Sequence, residues 1–137
     1  MARLKSGLYP NALATIRRQL EAPVQAAAEA YADRLRENVS QTSGGRGTHH
    51  SGLPNRSSAP GQYPVKQSGS LAESVDARAT TDRLVHQVGF FGEDSKKLLA
   101  LEFGSRDMSE RAPLARTAQD NDTREVMLKA AKSVSRR

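Results

Sequence analysis

The sequence has no cysteine and no tryptophan, and only three phenylalanines and three tyrosines among 137 residues. Without cysteine there is no disulfide scaffold, no thiol nucleophile and no cysteine-based zinc site. No apolar run approaches the ~18 residues a membrane span needs, and no apolar signal-peptide core follows Met1. The expectation is therefore a soluble protein of a reducing compartment that touches no membrane. Large apolar side chains are also scarce. Hydrophobic residues make up 36% of the chain, below the roughly 45–50% usual in soluble domains, a range that also counts glycine. A core must then rest on Leu, Val, Ile and Ala. A chain of single-domain length with so thin a core is marginal alone, and association is a common remedy.

What the sequence does carry is positive charge, unevenly placed. The net charge is +6. Residues 1–68 hold nine basic and four acidic side chains, whereas 69–137 hold twelve and eleven. Such a balance favours contact with a polyanion such as DNA, or with an acidic protein face.

Along the chain, Leu13, Ile16, Leu20, Val24, Ala27, Tyr31, Leu35 and Val39 recur at intervals of three and four. That period predicts a helix over 11–41 with one apolar stripe. Pro23 lies inside it, which predicts a kink or a division into two pieces near Glu21–Pro23. Residues 42–67 are rich in Gly, Ser, Pro and Asn, and read as one long loop. Residues 68–104 read as a sheet region. Ser68 or Ser70 is placed to cap a short turn with Leu71 and Val75. Arg83–Phe91 alternates in part, as a strand does, and Gly92–Ser95 reads as a turn. Lys97–Phe103 fits a second strand or a short helix equally well. Ser105–Arg111 is a polar loop, and 112–134 is a C-terminal helix with Pro113 in its first turn. Asp120–Thr123 is able to divide that helix, with Asp122 or Thr123 capping the second piece. The fold class expected is α+β: a long N-terminal and a C-terminal helix packed on a small, mainly antiparallel sheet, in one domain of residues 1–137.

Candidate chemistry is sparse. His49 and His50 stand in a Gly/Ser loop with no carboxylate between Glu37 and Glu73, too few ligands for a metal. His86 reads as a strand histidine. The acids Glu93, Asp94, Asp107, Glu110, Asp120 and Asp122 each lie beside a turn or helix start, where carboxylates cap. Ser43–Gly47 is glycine-rich but lacks the phosphate-loop spacing and follows a helix instead of a strand. No enzyme, cofactor or metal is expected. The loop is the more informative segment, because Arg46, Arg56 and Lys66 stand in it without an acid. Its single aromatic, Tyr63, is too little for a base-stacking platform, and the loop lacks the helix of a major-groove reader. Non-specific contact with phosphates, or ordering against a neighbouring subunit, fits better.

Three segments together resemble one family. Pro60-Gly61-Gln62-Tyr63-Pro64 is followed by Ser68-Gly69-Ser70-Leu71-Ala72-Glu73-Ser74-Val75. Val85–Phe90 is followed by Ala100-Leu101-Glu102-Phe103-Gly104-Ser105. Arg111-Ala112-Pro113-Leu114 with Ala118 opens the last helix. Their order and spacing are similar to those of the tail-completion, or head–tail joining, neck proteins of long-tailed double-stranded DNA phages. Leu114 stands where that family carries an aromatic residue. The resemblance implies a structural virion protein made in the bacterial cytoplasm. It would be one subunit of a homo-oligomeric ring, hexamer or dodecamer, between the head connector or head-closure ring and the tail terminator or tail tube. Genomic DNA would pass through its channel. Arg46, Arg56 and Lys66 would then be channel or docking contacts, and Tyr63, Glu102, Phe103 and Arg106 inter-subunit contacts. Glu102, at a strand end in that family, would pair with a basic residue such as Arg106 or one on a neighbour. A tail terminator or head-closure protein of the same neck, and a small non-specific DNA-binding protein, are the alternatives.

Overall fold

The computed structural model describes residues 8–92, 95–106 and 109–135. Glu93, Asp94 and Asp107, expected as caps, lie outside the described residues. Helix α1 spans Leu8–Asn38 as one element with Pro23 inside. The expected division at Pro23 does not occur. The proline removes one backbone donor, but Leu20, Glu21 and Ala22 before it and Ala26–Ala28 after it are strong helix formers that carry the element through.

The C-terminal half of α1 is the spine of the molecule. Helix α5 (Asn121–Ser135) packs along it in the antiparallel sense. Asp120 and Asp122 meet Arg34, and Met127 lines one cleft with Val24 and Ala27. Helix α4 (Pro113–Gln119) crosses near the end of α1, where Asn38 Nδ2 donates to the fully buried Thr117 hydroxyl at 3.0 Å. Helices α4 and α5 are the expected C-terminal helix, divided at Asp120, whose backbone is extended there. The cap is Asp120 itself: its Oδ1 accepts the Asp122 N–H at 3.1 Å. Neither Asp122 nor Thr123 has that role, and Thr123 is buried.

Between these helices lie the one-turn helix α2 (Ser70–Glu73), strands β1 (Val75–Ala79) and β2 (His86–Phe90), and helix α3 (Ser95–Phe103). The strands form an antiparallel hairpin with Val75 opposite Phe90 and Ala79 opposite His86. The molecule is thus α+β with a small antiparallel sheet, as expected. Gly69, at φ 90, takes the N-cap position of α2 in place of the expected Ser68 or Ser70, although the Ser68 hydroxyl accepts the Ser70 N–H at 3.4 Å. The left-handed backbone turns the chain there, and only glycine adopts it without strain. Lys97–Phe103 resolves as helix because Leu, Ala, Lys and Glu favour that state. Glu102-Phe103-Gly104 consequently closes a helix, not a strand, with Gly104 at φ 81 in the usual left-handed C-terminal position.

The core is small. Ala32, Leu35 and Val39 of α1 meet Ala72 and Val75, with Tyr31, Leu71, Ala77, Val88, Phe90 and Leu114 around them. The N-terminal half of α1 takes no part: every residue from Pro10 to Leu20 is exposed. No described helix is long and apolar enough to cross a membrane.

Residues 42–67 contain no helix or strand, but they are tied together. Gly47 N–H donates to the Ser57 carbonyl at 2.8 Å and Ser57 N–H to Thr48 at 3.2 Å. The glycines permit this approach. A Cβ on Gly47 would sit 2.6 Å from the Ser58 carbonyl oxygen, and one on Gly45 would collide with the Arg56 carbonyl. The glycine-rich run is therefore a device for close backbone pairing. Amide side chains finish the loop. Gln62 Oε1 accepts from Arg46 and Ala59 N–H, its Nε2 donates to Gly44, and Asn55 and Gln67 bond to each other's segments.

Candidate functional site

Part of each of the three segments behind the family resemblance, distant in sequence, lines one groove of about 670 Å³. Pro60 and Gly61 come from the loop, Glu102 and Phe103 from the end of α3, and Ala112, Ala115 and Arg116 from the start of α4. The joint is built on backbone groups. The two Glu102 carboxylate oxygens accept the N–H groups of Leu114 at 2.9 Å and Ala115 at 3.0 Å. Those donors belong to the first turn of α4, where no intrahelical partner exists. A carboxylate suits them because the helix dipole is positive there. Glu102 is thus a cap supplied by a neighbouring helix. The expected pairing with Arg106 is not formed, and Arg106 is exposed.

Ala112 precedes this turn at φ 45, the one positive-φ residue other than glycine among the described residues. It is held there because its N–H and that of Arg111 both donate to the Leu101 carbonyl, at 2.9 and 2.7 Å. Arg111 also reaches the loop, donating Nη2 to the Ser58 carbonyl at 2.9 Å and Nε to the Ser58 hydroxyl at 3.3 Å. The Arg116 guanidinium lies over the Tyr63 ring, 5.0 Å from its centre, a cation–π contact between α4 and the loop. Beneath them Tyr31 of α1 donates its hydroxyl to the Leu114 carbonyl at 2.8 Å. Burial first, then the negative charge of Glu102 and the neighbouring Tyr63, holds the Tyr31 hydroxyl above the ordinary tyrosine pKa.

One residue of the joint is largely uncovered. Phe103 is 74% exposed at the lip of the groove. Tyr63, Glu102 and Phe103, three of the expected inter-subunit residues, are therefore brought together, and two of them are already engaged within the chain. Among the loop cations, Arg46 and Arg56 are exposed and Lys66 is half-buried. The bonds Gly47–Ser57 and Asn55–Lys66 set their segments side by side. None of the three forms an ion pair among the described residues.

The remaining chemistry is thin. His49 and His50 are exposed, with His49 Nε2 3.1 Å from the Leu53 carbonyl. His86 is half-buried on β2 with Nδ1 unpartnered among the described residues. No group of three or more potential metal ligands occurs among the described residues. Sequence reasoning missed two features. Asn55, Gln62 and Gln67 organise the loop, and amides in a segment poor in regular structure were the available signal. The first part of the apolar stripe, Leu13, Ile16 and Leu20, does not face the core, and no spacing distinguishes it from the part that does. Comparison with protein families, with curated proteins and with solved structures found no match to this chain.

Proposed function

We propose that this chain is a structural subunit of a phage neck ring, a tail-completion or head–tail joining protein that connects the head connector to the tail around the DNA channel. The observation that carries the reading is the joint around Glu102. The three segments similar to the neck family are tied together there, the second and third by the Glu102 bonds to the Leu114 and Ala115 N–H groups and the first and third by the Arg116–Tyr63 contact, which gives their ordered co-occurrence a physical reason. Phe103 at its lip supplies an uncovered aromatic anchor of the kind that dominates protein interfaces. A thin core supports the same reading, since a neighbour that covers Phe103 adds about 1.5–3 kcal/mol of apolar burial. Arg46, Arg56 and Lys66, without ion pairs among the described residues, serve as a channel lining or docking face for phosphates or an acidic ring.

The test is light scattering of the purified chain, alone and mixed with connector and tail-tube proteins, together with assembly in infected cells. The wild type forms a closed oligomer, Phe103→Asp weakens it, and Arg46→Glu/Arg56→Glu/Lys66→Glu folds normally but fails to join heads to tails. A chain that stays monomeric in every mixture overturns the proposal. The lack of ion pairs at the three loop cations also favours a second reading, a non-specific DNA-binding protein. That reading requires affinity of the free subunit for duplex DNA that falls steeply with salt, and no binding at low salt removes it.

A further inference from the structure

The N-terminal half of α1 is built for contact and leaves its apolar residues exposed. Leu13, Ile16 and Leu20, spaced i, i+3, i+7, are 42%, 51% and 46% exposed. That spacing is how a helix presents anchors to a groove. The charges on α1 are also ordered in an unusual way. Between Leu8 and Leu20 it carries Arg17 and Arg18 and no acid, while from Glu21 to Asn38 it carries Glu21, Glu29, Asp33 and Glu37 against Arg34 and Arg36. A helix dipole favours the reverse, with acids first and bases last. Contacts within the chain reach the acids, with Arg83 3.9 Å from Glu21, Gln25 donating to Glu29 at 3.0 Å, and Arg36 and Arg34 paired with Asp33 and Glu37, but they hold the arginines of the first half only weakly. Arg17 reaches Asp82 at 2.8 Å, but both side chains are about half exposed and such a pair contributes little. Arg18 is exposed and forms no ion pair among the described residues.

A complementary surface lies farther along the same molecule. A cleft of about 340 Å³ opens between α1, β2 and α5, floored by Val24, Ala27, Tyr31, Val88 and Met127 and edged by His86. His86 also edges a second cleft of about 270 Å³ that holds Glu21, Gln25 and Glu29 together with Arg83, whose exposed guanidinium lies 3.9 Å from Glu21. The apolar floor is thus flanked by carboxylates, as the apolar stripe is flanked by arginines.

We propose that copies of this chain associate head to tail, the projecting N-terminal half of α1 in one copy seating on the carboxylate-flanked cleft between α1, β2 and α5 of the next. Leu13, Ile16 and Leu20 meet the apolar floor, and Arg17 and Arg18 face Glu21 and Glu29. The two surfaces are different, so the contact is heterologous and either closes into a ring or continues as a filament. Closure into a ring rests on the neck-subunit reading, whereas the pairing of these two faces does not.

The test uses the full chain, with molar mass by light scattering and fold by circular dichroism. Ile16→Asp removes the projecting face, and Glu21→Arg/Glu29→Arg removes the cleft face. Should the double variant unfold, Met127→Glu reads the same surface. The wild type is expected to be oligomeric and each variant monomeric. An equimolar mixture of the two classes is expected to stop at a dimer, because one intact face of each kind remains. Raising salt weakens the assembly through its charged rim. A mixture that stays monomeric overturns the proposal, as does a single variant that still dimerises, which pairing of like faces requires. So does an oligomer that survives both variants; if that oligomer is lost on Phe103→Asp, the ring reading stands without this interface. A monomeric wild type overturns this interface, and the ring reading falls with it only if the chain also stays monomeric with connector and tail-tube proteins.

Discussion

Tyr31 donates its hydroxyl to the Leu114 carbonyl from a half-buried position beside Glu102 and Tyr63. Because its folded pKa is raised, the protonated form is favoured by folding. Its contribution is fully present below the unfolded value of about 10 and is lost as pH rises through the folded value. Tyr31→Phe is expected to cost about 0.5–1.5 kcal/mol at neutral pH, the net worth of one hydrogen bond. It should also flatten the alkaline limb of a stability profile measured by urea denaturation. Glu102 is the more consequential single side chain, because two backbone donors depend on it. Glu102→Ala is expected to destabilise by about 1–2 kcal/mol, as loss of a cap does. Glu102→Gln, which keeps one acceptor, should fall between, with the same measurement as the check.

At the scale of elements, α1 continues through Pro23 at a cost. A proline in a helix interior is about 3 kcal/mol less favourable than alanine. Pro23→Ala is expected to raise the midpoint of thermal unfolding followed by circular dichroism, by the equivalent of about 1–3 kcal/mol given fraying of the projecting half. The apolar period made α1 legible from sequence, as it did not for the sheet. Strand β1 reads Val-Asp-Ala-Arg-Ala, with one β-branched residue, and only Val75 of it is buried. Its state is decided by pairing with β2 and by packing on α1, neither of which leaves a local trace. Helix α3 was ambiguous for a related reason: only Leu101 of its apolar residues is fully buried, while Leu99 and Phe103 face solvent, so the pattern carries no clean period. The division of the C-terminal helix was legible in Asp120–Thr123, but the cap was misassigned by two or three residues because an extended Asp120 alone places a carboxylate over the Asp122 N–H. At the candidate site, Glu102 and Phe103 were legible from motif order. The use of Glu102 on α4 was not, since it depends on α3 being helical and lying beside that turn.

For the whole molecule, scarcity of large apolar residues in the sequence becomes a core centred on Leu35 and Val39, the two largest apolar side chains that are fully enclosed. Leu35→Ala is expected to cost about 2–5 kcal/mol, enough to unfold most of a marginal domain at 37 °C, and chemical denaturation of the free chain would register it directly. The hairpin and the loop then respond to acid in different ways. The hairpin is laced by Asp76 and Asp82. The Asp76 carboxyl is held below the usual range first by the Arg78 guanidinium and then by the Ala77 N–H; for Asp82 the Leu84 N–H comes first and Arg17 second. That support is present above the unfolded aspartate value of about 3.9 and is lost as pH falls through the folded values. The loop, by contrast, is cross-tied by Gln62, Gln67 and Asn55 through carboxamides, which neither gain nor lose a proton across that range. An acid series followed by amide hydrogen exchange should therefore show Thr80–Val85 losing protection while Gly47 and Ser57 keep theirs. The cationic loop behaves as a preset template: its outline is indifferent to the medium, and only its appetite for anions varies.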